Sequence, residues 1–472
     1  MISPNPENWT VTSLSKAVLK REISPVEITR AYLERIQSHD PKINSFITLL
    51  PQKALRAARQ AEKERGKGQI RGPLHGIPFA AKDLFFTKGI RTTCGSRILK
   101  NFVPSYNATV IERMQASGMI LLGKLNMHEF AYGTTSMNPH FGPVRNPWDR
   151  SRVTGGSSGG SAAALASAFV PLSLGTDTGG SIRIPSALCG TAGLKPTFGR
   201  ISRYGVYPLC WSLDHPGPMA NRVADLAMAM NILAGPDPLD SSTSPVVVPD
   251  YASGLSKNLK GVRVGIPATY YFDRLDPEVR TSVEKAIQVC KGLGAAVKRI
   301  FIPLLPEASI AAFIILLGEG AATLEKWHRT RPLDLGDDVR SRLNLGAAIM
   351  ATQYLKAQTV RRKIRENFSL AFQKVDAIVT PQLPITAPKM DQQSVSWGKK
   401  SEAVPSALTR LTRIYNLVGI PSLSIPCGFS AAGLPIGLQI AGKPFDEKTV
   451  LRVGHAYEAN APWKDRHPRL DG

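Results

Sequence analysis

The chain has few cysteines for its length, and none of them lies in a pattern typical of metal sites or disulfide frameworks. Five cysteines are scattered over 472 residues, with no Cys-x-x-Cys pair and no Cys/His cluster. An odd, dispersed set argues against a disulfide scaffold and a zinc site, and it favours a reducing compartment. We therefore predict a cytoplasmic protein.

Long apolar runs are also missing. The longest uninterrupted one, Ile310 to Leu317, is far shorter than the roughly 20 residues that a helix needs to cross a bilayer. The polar segment from Met1 to Thr10 lacks the apolar stretch of a secretory signal. No GxxxxGK[ST] loop occurs, which excludes ATP chemistry of the P-loop kind. The sequence thus predicts no membrane span.

Acidic residues are scarce relative to basic ones. The chain has 36 Asp and Glu against 59 Lys and Arg, a formal charge of +23. Such a balance suits nucleic acid, anionic membranes or acidic partners. The basic residues are spread along the chain, however, rather than clustered as in nucleic-acid modules. We therefore expect no nucleic-acid partner.

What the sequence does contain is an alternation of short apolar runs with helical stretches. Strand-like runs lie at 120–123, 170–175, 262–266, 377–379, 423–425 and 435–440, and helical patterns at 52–66, 108–117 and 277–293. This alternation predicts an α/β fold with a single large mixed, mostly parallel sheet covered by helices on both faces. Without repeats or low-complexity tracts, we predict one domain over residues 1–472, with core motifs at 72–235 and a substrate-shaping helical excursion at about 300–375.

Two glycine-rich segments stand out, at residues 155–161 and 175–183. Glycine is favoured where a backbone must turn sharply or approach a ligand closely. In the second segment, Gly179 and Gly180 leave successive N–H groups unshielded just before Ser181. An oxyanion hole requires such an arrangement, because its donors must reach a developing negative charge.

A serine nucleophile needs a base, and no histidine can be tied to Ser181 by the sequence. Lysine serves if burial lowers its pKa enough to leave it neutral. Lys82 ends the apolar stretch that begins at Ile77, so it could occupy such a site. Taken singly, each serine is more simply explained as a turn residue or helix cap, and Lys82 as a surface charge beside Asp83. Only their joint occurrence favours a catalytic site.

The two glycine-rich strings, Gly155 to Ser161 and Asp177 to Arg183, resemble the amidase signature family. Further matching segments are Gly76-Ile77-Pro78, Lys82-Asp83, Gly123 to Phe130, Asn146-Pro147-Trp148, Gly193 to Thr197, Ser212-Leu213-Asp214, Gly217-Pro218-Met219 and Gly433 to Gln439. The resemblance covers nearly the whole chain. It is specific between residues 72 and 235 and thin between 300 and 400.

The resemblance implies the amidase signature fold and a Ser–Ser–Lys triad without metal or organic cofactor. Ser181 would be the nucleophile, Ser157 the bridging serine and Lys82 the base, with a cis peptide between Gly156 and Ser157. Other implied roles are the oxyanion hole (N–H groups of Thr178, Gly179, Gly180 and Ser181), support of the two glycine turns (Ser158, Asp177 and Arg183) and pocket lining (Ala131, Tyr132 and Gly133).

The activity implied is hydrolysis of a linear carboxylic amide through an acyl-Ser181 intermediate. Trp211, Tyr132 and Phe313 suggest an apolar substrate such as an aryl amide, with anilides, esters and carbamates as further candidates. The expected protein is free-standing, a monomer or homodimer whose partner is a small amide.

The main alternative is the glutamine-hydrolysing amidase subunit of a tRNA-dependent amidotransferase. In glutamine-specific members we expect an aspartate seven residues before the asparagine that is Asn416 here, to grip the substrate's amino group. This sequence has Thr409 instead, and an ammonium without a carboxylate would be poorly paired.

Two further alternatives are weaker. The Gly155-Gly156-Ser157-Ser158-Gly159 string fits the G-x-S-x-G elbow of α/β hydrolases, but that leaves Ser181 and Lys82 without a role. A membrane-surface scaffold could use the 310–317 segment and the positive charge, yet the segment fits a buried or pocket-lining helix as well.

Overall fold

The computed structural model describes residues 3, 5–463 and 465–470, so Met1, Ile2 and Pro4 of the N-terminal segment lie outside it. The helices are α1 (Val11–Leu19), α2 (Pro25–Ile43), α3 (Pro51–Gly66), α4 (Thr109–Ala116), α5 (Gly159–Ala166), α6 (Arg183–Cys189), α7 (Val223–Leu233), α8 (Pro277–Gly292), α9 (Leu305–Thr330), α10 (Asp337–Ala347), α11 (Ala351–Lys374), α12 (Val404–Arg410), α13 (Arg413–Val418) and α14 (Glu447–Ala459).

The strands are β1 (Phe46–Leu49), β2 (Pro78–Lys82), β3 (Ile120–Leu125), β4 (Arg145–Asn146), β5 (Asp149–Val153), β6 (Leu172–Asp177), β7 (Ala192–Lys195), β8 (His215–Ala220), β9 (Arg263–Pro267), β10 (Ala296–Ile300), β11 (Ala377–Pro381), β12 (Ser394–Trp397), β13 (Lys400–Ala403), β14 (Ser422–Phe429) and β15 (Pro435–Gly442).

Eleven of these strands form one sheet flanked by helices, in the order β1-β3-β2-β6-β8-β7-β14-β15-β11-β9-β10. The predicted α/β fold with a large mixed sheet is confirmed. The expected excess of parallel pairs is not found, because only β3-β2, β2-β6, β11-β9 and β9-β10 run parallel. The other neighbouring strands of the sheet are antiparallel.

Connections explain the difference. Strands β14 and β15 form a hairpin closed by a tight turn in which the Gly433 N–H donates to the Ser430 carbonyl over 2.9 Å. Antiparallel strands can be joined by such short turns, whereas parallel strands need a longer crossover. The alternation of strand and helix patterns in the sequence predicts which elements form. It does not predict whether two neighbouring strands run parallel, unless they are joined by a simple strand–helix–strand connection.

Local signals place several helix ends where the sequence predicts them. Ser24 caps α2 by accepting from the Glu27 N–H, and the Glu27 side chain accepts from the Ser24 N–H, with Pro25 as the first helical residue. This reciprocal capping box satisfies two N–H groups that a helix start otherwise leaves unpaired. The segment at 236–251 contains no helix or strand.

Two neighbouring parallel strands bring the predicted site together. In the register of β2 against β6, Ala80 faces Ser173 and Ala81 faces Leu174. Because parallel strands end at the same edge of a sheet, the last residue of β2, Lys82, lies near the end of β6 and the turn that follows it. The fold thus brings residue 82 to the 176–183 segment.

The helical excursion predicted at 300–375 is present as α9, α10 and α11, with α9 packed against the other two and against α13. Within the described residues, α9 is the one helix long and apolar enough to cross a membrane by length and composition. Core helices of soluble proteins meet the same criterion, and 44% of the apolar window of α9 is buried inside the domain.

Candidate active site

Lys82 is fully buried, and among the described residues it has no carboxylate in salt-bridge contact. Its Nζ lies 2.7 Å from Ser157 Oγ and 2.9 Å from Thr176 Oγ1. Burial lowers the pKa of Lys82 to about 7, although the charges of Asp177 and Asp214 favour the protonated form. A substantial fraction of Lys82 is therefore neutral at pH 7 and available to accept a proton.

Ser157 precedes α5, and its carbonyl accepts from the His128 N–H over 3.1 Å. The peptide bond between Gly156 and Ser157 is cis, as the resemblance implies. The side chain is fully buried. The structure thus places the predicted bridging serine in hydrogen-bond contact with the predicted base.

Ser158 joins the two glycine-rich segments. Its N–H donates to the Ser181 carbonyl over 3.2 Å, and its hydroxyl donates to the Thr176 carbonyl and accepts from the Thr176 N–H, at 3.2 and 3.3 Å. These bonds tie the start of α5 to the end of β6, so the two segments form one rigid unit. The position of Ser158 fits the supporting role that the resemblance implies.

Asp177 and Arg183 form a buried ion pair behind the turn, with Arg183 Nε 3.0 Å from Asp177 Oδ2. Desolvation is the largest single influence and opposes ionisation of Asp177, but the charge and hydrogen bonds of Arg183, together with Lys195 and Asn416, outweigh it and hold the carboxyl pKa well below its usual range. The guanidinium also donates to Thr412 O, Gln439 Oε1 and Asn416 Oδ1 at 3.0, 2.7 and 2.7 Å. A buried pair with this many partners holds the turn rigidly.

The 178–181 turn departs from the prediction at Gly180. The Gly180 N–H donates to Asp177 Oδ1 over 2.8 Å, so it already has an acceptor and is not a free oxyanion donor. The N–H groups of Thr178, Gly179 and Ser181 have no protein acceptor within the described part of the chain. Glycine is required at 180, since φ is +133° and a Cβ would come within 2.5 Å of Thr412 Oγ1.

Asp214 supports the turn from another direction. Its Oδ1 accepts from the Thr178 hydroxyl over 2.6 Å, and its Oδ2 accepts from the N–H groups of Leu209 and Cys210, both at 2.9 Å. Burial raises the pKa of this carboxyl. The sequence motif at 212–214 marks Asp214, but its contact with Thr178 becomes visible only in the structure.

Ser181 opens into a cavity of about 240 Å³. One wall consists of Ala131, Tyr132 and Gly133, which the resemblance places there. The opposite side is built by helices: Ala312, Phe313 and Leu316 come from α9, Arg342 and Leu345 from α10, Pro405, Ser406 and Thr409 from α12 and Arg413 from α13. The cavity is thus an apolar pocket with the serine at one end and two arginines in its walls.

Trp211 is not part of this pocket. Its side chain is 49% exposed and lines a neighbouring cavity of about 280 Å³, which shares Ala131, Thr178 and Leu209 with the Ser181 pocket. The residue lies three positions before Asp214, so the backbone turn that directs Asp214 inward leaves Trp211 on the outer side. The structure thus places Trp211, predicted as a substrate-binding residue, in the cavity next to the Ser181 pocket, whereas Phe313 lines the Ser181 pocket itself.

Sequence reasoning misses several site residues. Thr176 is the second contact of Lys82, and Thr412 and Gln439 bind Arg183 or its turn. Arg342 lines the pocket from α10, in the region where the family resemblance is thin, and Arg413 lines it from α13. A signal exists for Thr176, which lies one residue before Asp177, and Arg413 lies four residues after Thr409 in the sequence, but no signal places Arg342.

No group of three or more His, Cys, Asp or Glu side chains suited to a metal ion occurs in residues 3, 5–463 and 465–470. The five cysteines are free and buried.

A family model for amidases matches residues 27–451 of this chain. The A subunit of the glutamyl-tRNA(Gln) amidotransferase from Chloroflexus aggregans is 44% identical, with 98% of each chain covered. Among solved structures, the corresponding protein from Thermotoga maritima is 34% identical with a TM-score of 0.84, and each chain is covered completely. Another solved structure is 35% identical with a TM-score of 0.92, and the match covers 96% of this chain and 98% of the other. It is described as an unexpected vestigial protein complex that reveals the evolutionary origins of an s-triazine catabolic enzyme.

These relatives overturn one expectation. The sequence interpretation is a free-standing monomer or homodimer with a small amide as its partner and no nucleic acid. The curated relatives are named as subunits of an amidotransferase acting on glutamyl-tRNA(Gln), so the prediction of an enzyme without partner subunits or nucleic acid is wrong.

The family model over residues 27–451, together with relatives that match almost end to end, leaves one conclusion. The chain belongs to the amidase signature family and is an amidohydrolase that acts on amide C–N bonds.

Proposed function

We propose that this chain is the amide-hydrolysing subunit of a multi-subunit amidotransferase-type enzyme, in which Ser181 splits a small carboxamide and the ammonia passes to a partner protein. The observation that carries the proposal is the buried Lys82, with its pKa near 7, 2.7 Å from Ser157 Oγ. Similarity to amidotransferase subunits over nearly the full length supports the assembly. Glutamine, which the amidotransferase resemblance implies, and other monoamides of dicarboxylic acids are the candidate donors.

The proton relay begins with neutral Lys82. Ser157 gives its proton to Lys82 Nζ and takes one from Ser181, whose Oγ forms a bond to the amide carbonyl carbon. A lysine in water is almost entirely protonated at pH 7, so the relay depends on burial of the Lys82 ammonium.

The negative charge that develops on the carbonyl oxygen needs preorganised donors. The N–H groups of Thr178, Gly179 and Ser181 are the free donors of the turn, because that of Gly180 is held by Asp177. The Asp177–Arg183 ion pair and the hydrogen bond from the Thr178 hydroxyl to Asp214 hold this turn in place.

Collapse of the tetrahedral intermediate breaks the C–N bond, and the relay returns the proton to the departing nitrogen, which leaves as ammonia. Water then adds to the acyl-Ser181 carbonyl and gives a proton to the relay. Cleavage of the C–O bond releases the acid, and the proton restores the Ser181 hydroxyl. The net reaction converts carboxamide and water into acid and ammonia.

The test is ammonia release from glutamine and from simple carboxamides, with wild type and Ser181→Ala. Wild type should release ammonia, whereas the variant should fall to background because it lacks the attacking oxygen. Ser186→Ala is the matched control, since its buried hydroxyl on α6 has no hydrogen-bond partner within the described residues. Equal rates for wild type and Ser181→Ala would contradict the proposal.

The assembly is tested separately on the chain purified from its native cells. We expect it to co-purify with at least one other polypeptide in constant stoichiometry through size-exclusion chromatography. Elution of the native-source chain by itself would contradict the assignment to an assembly, while leaving the Ser181 chemistry to stand on the kinetic test.

A further inference from the structure

The Ser181 pocket contains two positive charges and no negative one. Among the described residues that line it, Arg342 and Arg413 are the charged side chains. Arg342 is neutralised within the protein, since its guanidinium lies 2.8 Å from Asp338 Oδ2. Arg413 is therefore the charge that the pocket leaves unmatched.

Arg413 makes only neutral contacts. Its Nε donates to the Thr409 carbonyl over 3.2 Å, a second nitrogen donates to the Thr409 hydroxyl, and the guanidinium lies 5.3 Å from the Phe313 ring centroid. It belongs to no ion pair in the part of the chain that the structure describes. Burial lowers the pKa of Arg413 to about 10, which still leaves it charged at pH 7. The side chain is partly buried, and a charge with reduced access to water and no counter-ion among the described residues is unfavourable, so a ligand that supplies a counter-ion gains affinity.

The fold places this charge beside the catalytic turn. The Thr412 hydroxyl donates to the Gly179 carbonyl over 2.5 Å, and a Cβ built on Gly179 would lie 3.8 Å from Arg413 Cβ. The side chain therefore starts next to the turn that carries Ser181 and lines the same pocket. The Arg413 guanidinium can therefore reach a carboxylate of the substrate that lies only a few bonds away from the amide attacked by Ser181.

We propose that Arg413 binds a carboxylate on the acyl part of the substrate, and that the preferred substrate is the monoamide of a short dicarboxylic acid without an ammonium group. This proposal rests on the proposed hydrolysis at Ser181. A planar guanidinium pairs with a carboxylate through two parallel hydrogen bonds, which fixes orientation as well as charge. Thr409, the residue that Arg413 holds, offers no carboxylate to an ammonium group, so the amino group of glutamine has no counter-ion in this pocket.

The experiment compares glutaramate, pentanamide and glutamine as substrates of the full chain. Glutaramate and pentanamide have the same chain length and differ in the terminal carboxylate, and glutamine adds the ammonium group. A charge-assisted hydrogen bond stabilises by about 1.5–3 kcal/mol, which corresponds to about a 10- to 150-fold preference in kcat/KM for glutaramate over pentanamide. Glutamine should fall below glutaramate.

Two variants locate the preference. In Arg413→Gln the ratio of kcat/KM for glutaramate and pentanamide should fall to near one. Arg362→Gln removes a positive charge from the exposed face of α11 and should keep the wild-type ratio. An Arg413→Gln enzyme that retains the ratio, or a wild type that prefers pentanamide or glutamine, would overturn the proposal.

A binding measurement separates this proposal from the proposed function. Glutarate should bind wild type more tightly than pentanoate in calorimetry, and the difference should vanish in Arg413→Gln. If the enzyme releases no ammonia from any amide but the binding difference is intact, the proposed hydrolysis is refuted and the carboxylate site is not.

If circular dichroism shows that Arg413→Gln does not fold, Arg413→Lys replaces it. This variant should keep only part of the preference, because an ammonium cannot form the paired bonds. Equal binding of glutarate and pentanoate to wild type would refute the site.

Discussion

The turns between residues 76 and 220 and the helices α9 and α10 both contribute to the candidate active site, but with different kinds of groups. The first region supplies Lys82, Ser157 and Arg183, all of which are completely buried. The helices supply side chains such as Phe313 and Leu345, which are 40% and 57% exposed. The candidate catalytic side chains thus lie in the buried, hydrogen-bonded part of the molecule. The side chains of the pocket wall are partly exposed, so they can vary at little cost to the stability of the fold.

A second fully buried lysine in the first region, Lys124, differs from Lys82 in its contacts. Lys124 is fully buried like Lys82, but its Nζ donates to the Phe85 carbonyl and the Thr92 hydroxyl, at 2.5 and 2.8 Å, and lies 3.6 Å from Asp83 Oδ1. Lys82 instead contacts only the two hydroxyls of Ser157 and Thr176. Both lysines are buried beside hydroxyls, so what distinguishes Lys82 among the described residues is its contact with Ser157 and the lack of an ion-pair partner such as the Asp83 of Lys124.

The largest effect expected from this comparison is on Lys82→Met. Removing a general base lowers kcat by about 10²- to 10⁴-fold, and the change should appear in the rate of ammonia release. Lys124→Met is the matched control: it should lower the free energy of unfolding, because it leaves Asp83 buried without its partner, while the folded fraction keeps its kcat. Equal losses of kcat in the two variants would show that burial, not the serine contact, matters.

The next effect concerns stability within the first region. Arg183→Met leaves Asp177 buried without its counter-charge, and breaking such a pair costs about 3–5 kcal/mol of unfolding free energy. Urea denaturation followed by circular dichroism measures it. A loss below about 1 kcal/mol would mean that Asn416 and the backbone N–H groups hold Asp177 without help.

A smaller, graded effect is expected from pH. The reactive form of Lys82 is neutral, so kcat/KM should fall about tenfold per pH unit below the pKa near 7 and level off above it. The profile is measured with a neutral amide such as pentanamide, whose own charge does not change with pH. A profile that is flat between pH 5 and 8 would exclude Lys82 as the titrating base.

The smallest effect on stability should come from the helical wall. Phe313→Ala removes a partly exposed ring that packs on Arg413, so the free energy of unfolding should change by less than about 0.5–1 kcal/mol. The KM should rise by a larger factor than kcat falls, because the ring lines the pocket and does not touch the relay. Steady-state kinetics across amide concentrations separates the two parameters.

Much of the fold and of the candidate site could be predicted because local rules operate in the motif-rich region. The Ser24 capping box, the strand ending on Lys82 and the glycines before Ser181 each carry a signal within a few residues. The placement of Trp211 in the neighbouring cavity and the presence of Arg342 in the pocket have another origin. Their positions depend on how loops and helices far apart in the chain pack against one another, which no local pattern records.

The wrong prediction about partner proteins has a related reason. Dispersed basic residues look like an ordinary solvated surface in a sequence, whereas similarity to amidotransferase subunits over the full chain points to an assembly. The cytoplasmic location and the single-domain organisation over residues 1–472 stay predictions.

By itself, the sequence determined the family, the elements and the identity of the groups that can do chemistry, since glycine turns, helix caps and apolar periodicity are local properties of the backbone. Only the tertiary structure decided which hydroxyls touch Lys82, which N–H groups of the 178–181 turn remain free, and that Arg413 stands in the pocket without a counter-charge. Proton transfer and charge pairing act over distances of about 3 Å. At that scale the contacts are made by residues far apart in the chain, such as Lys82 with Ser157 and Gly179 with Thr412.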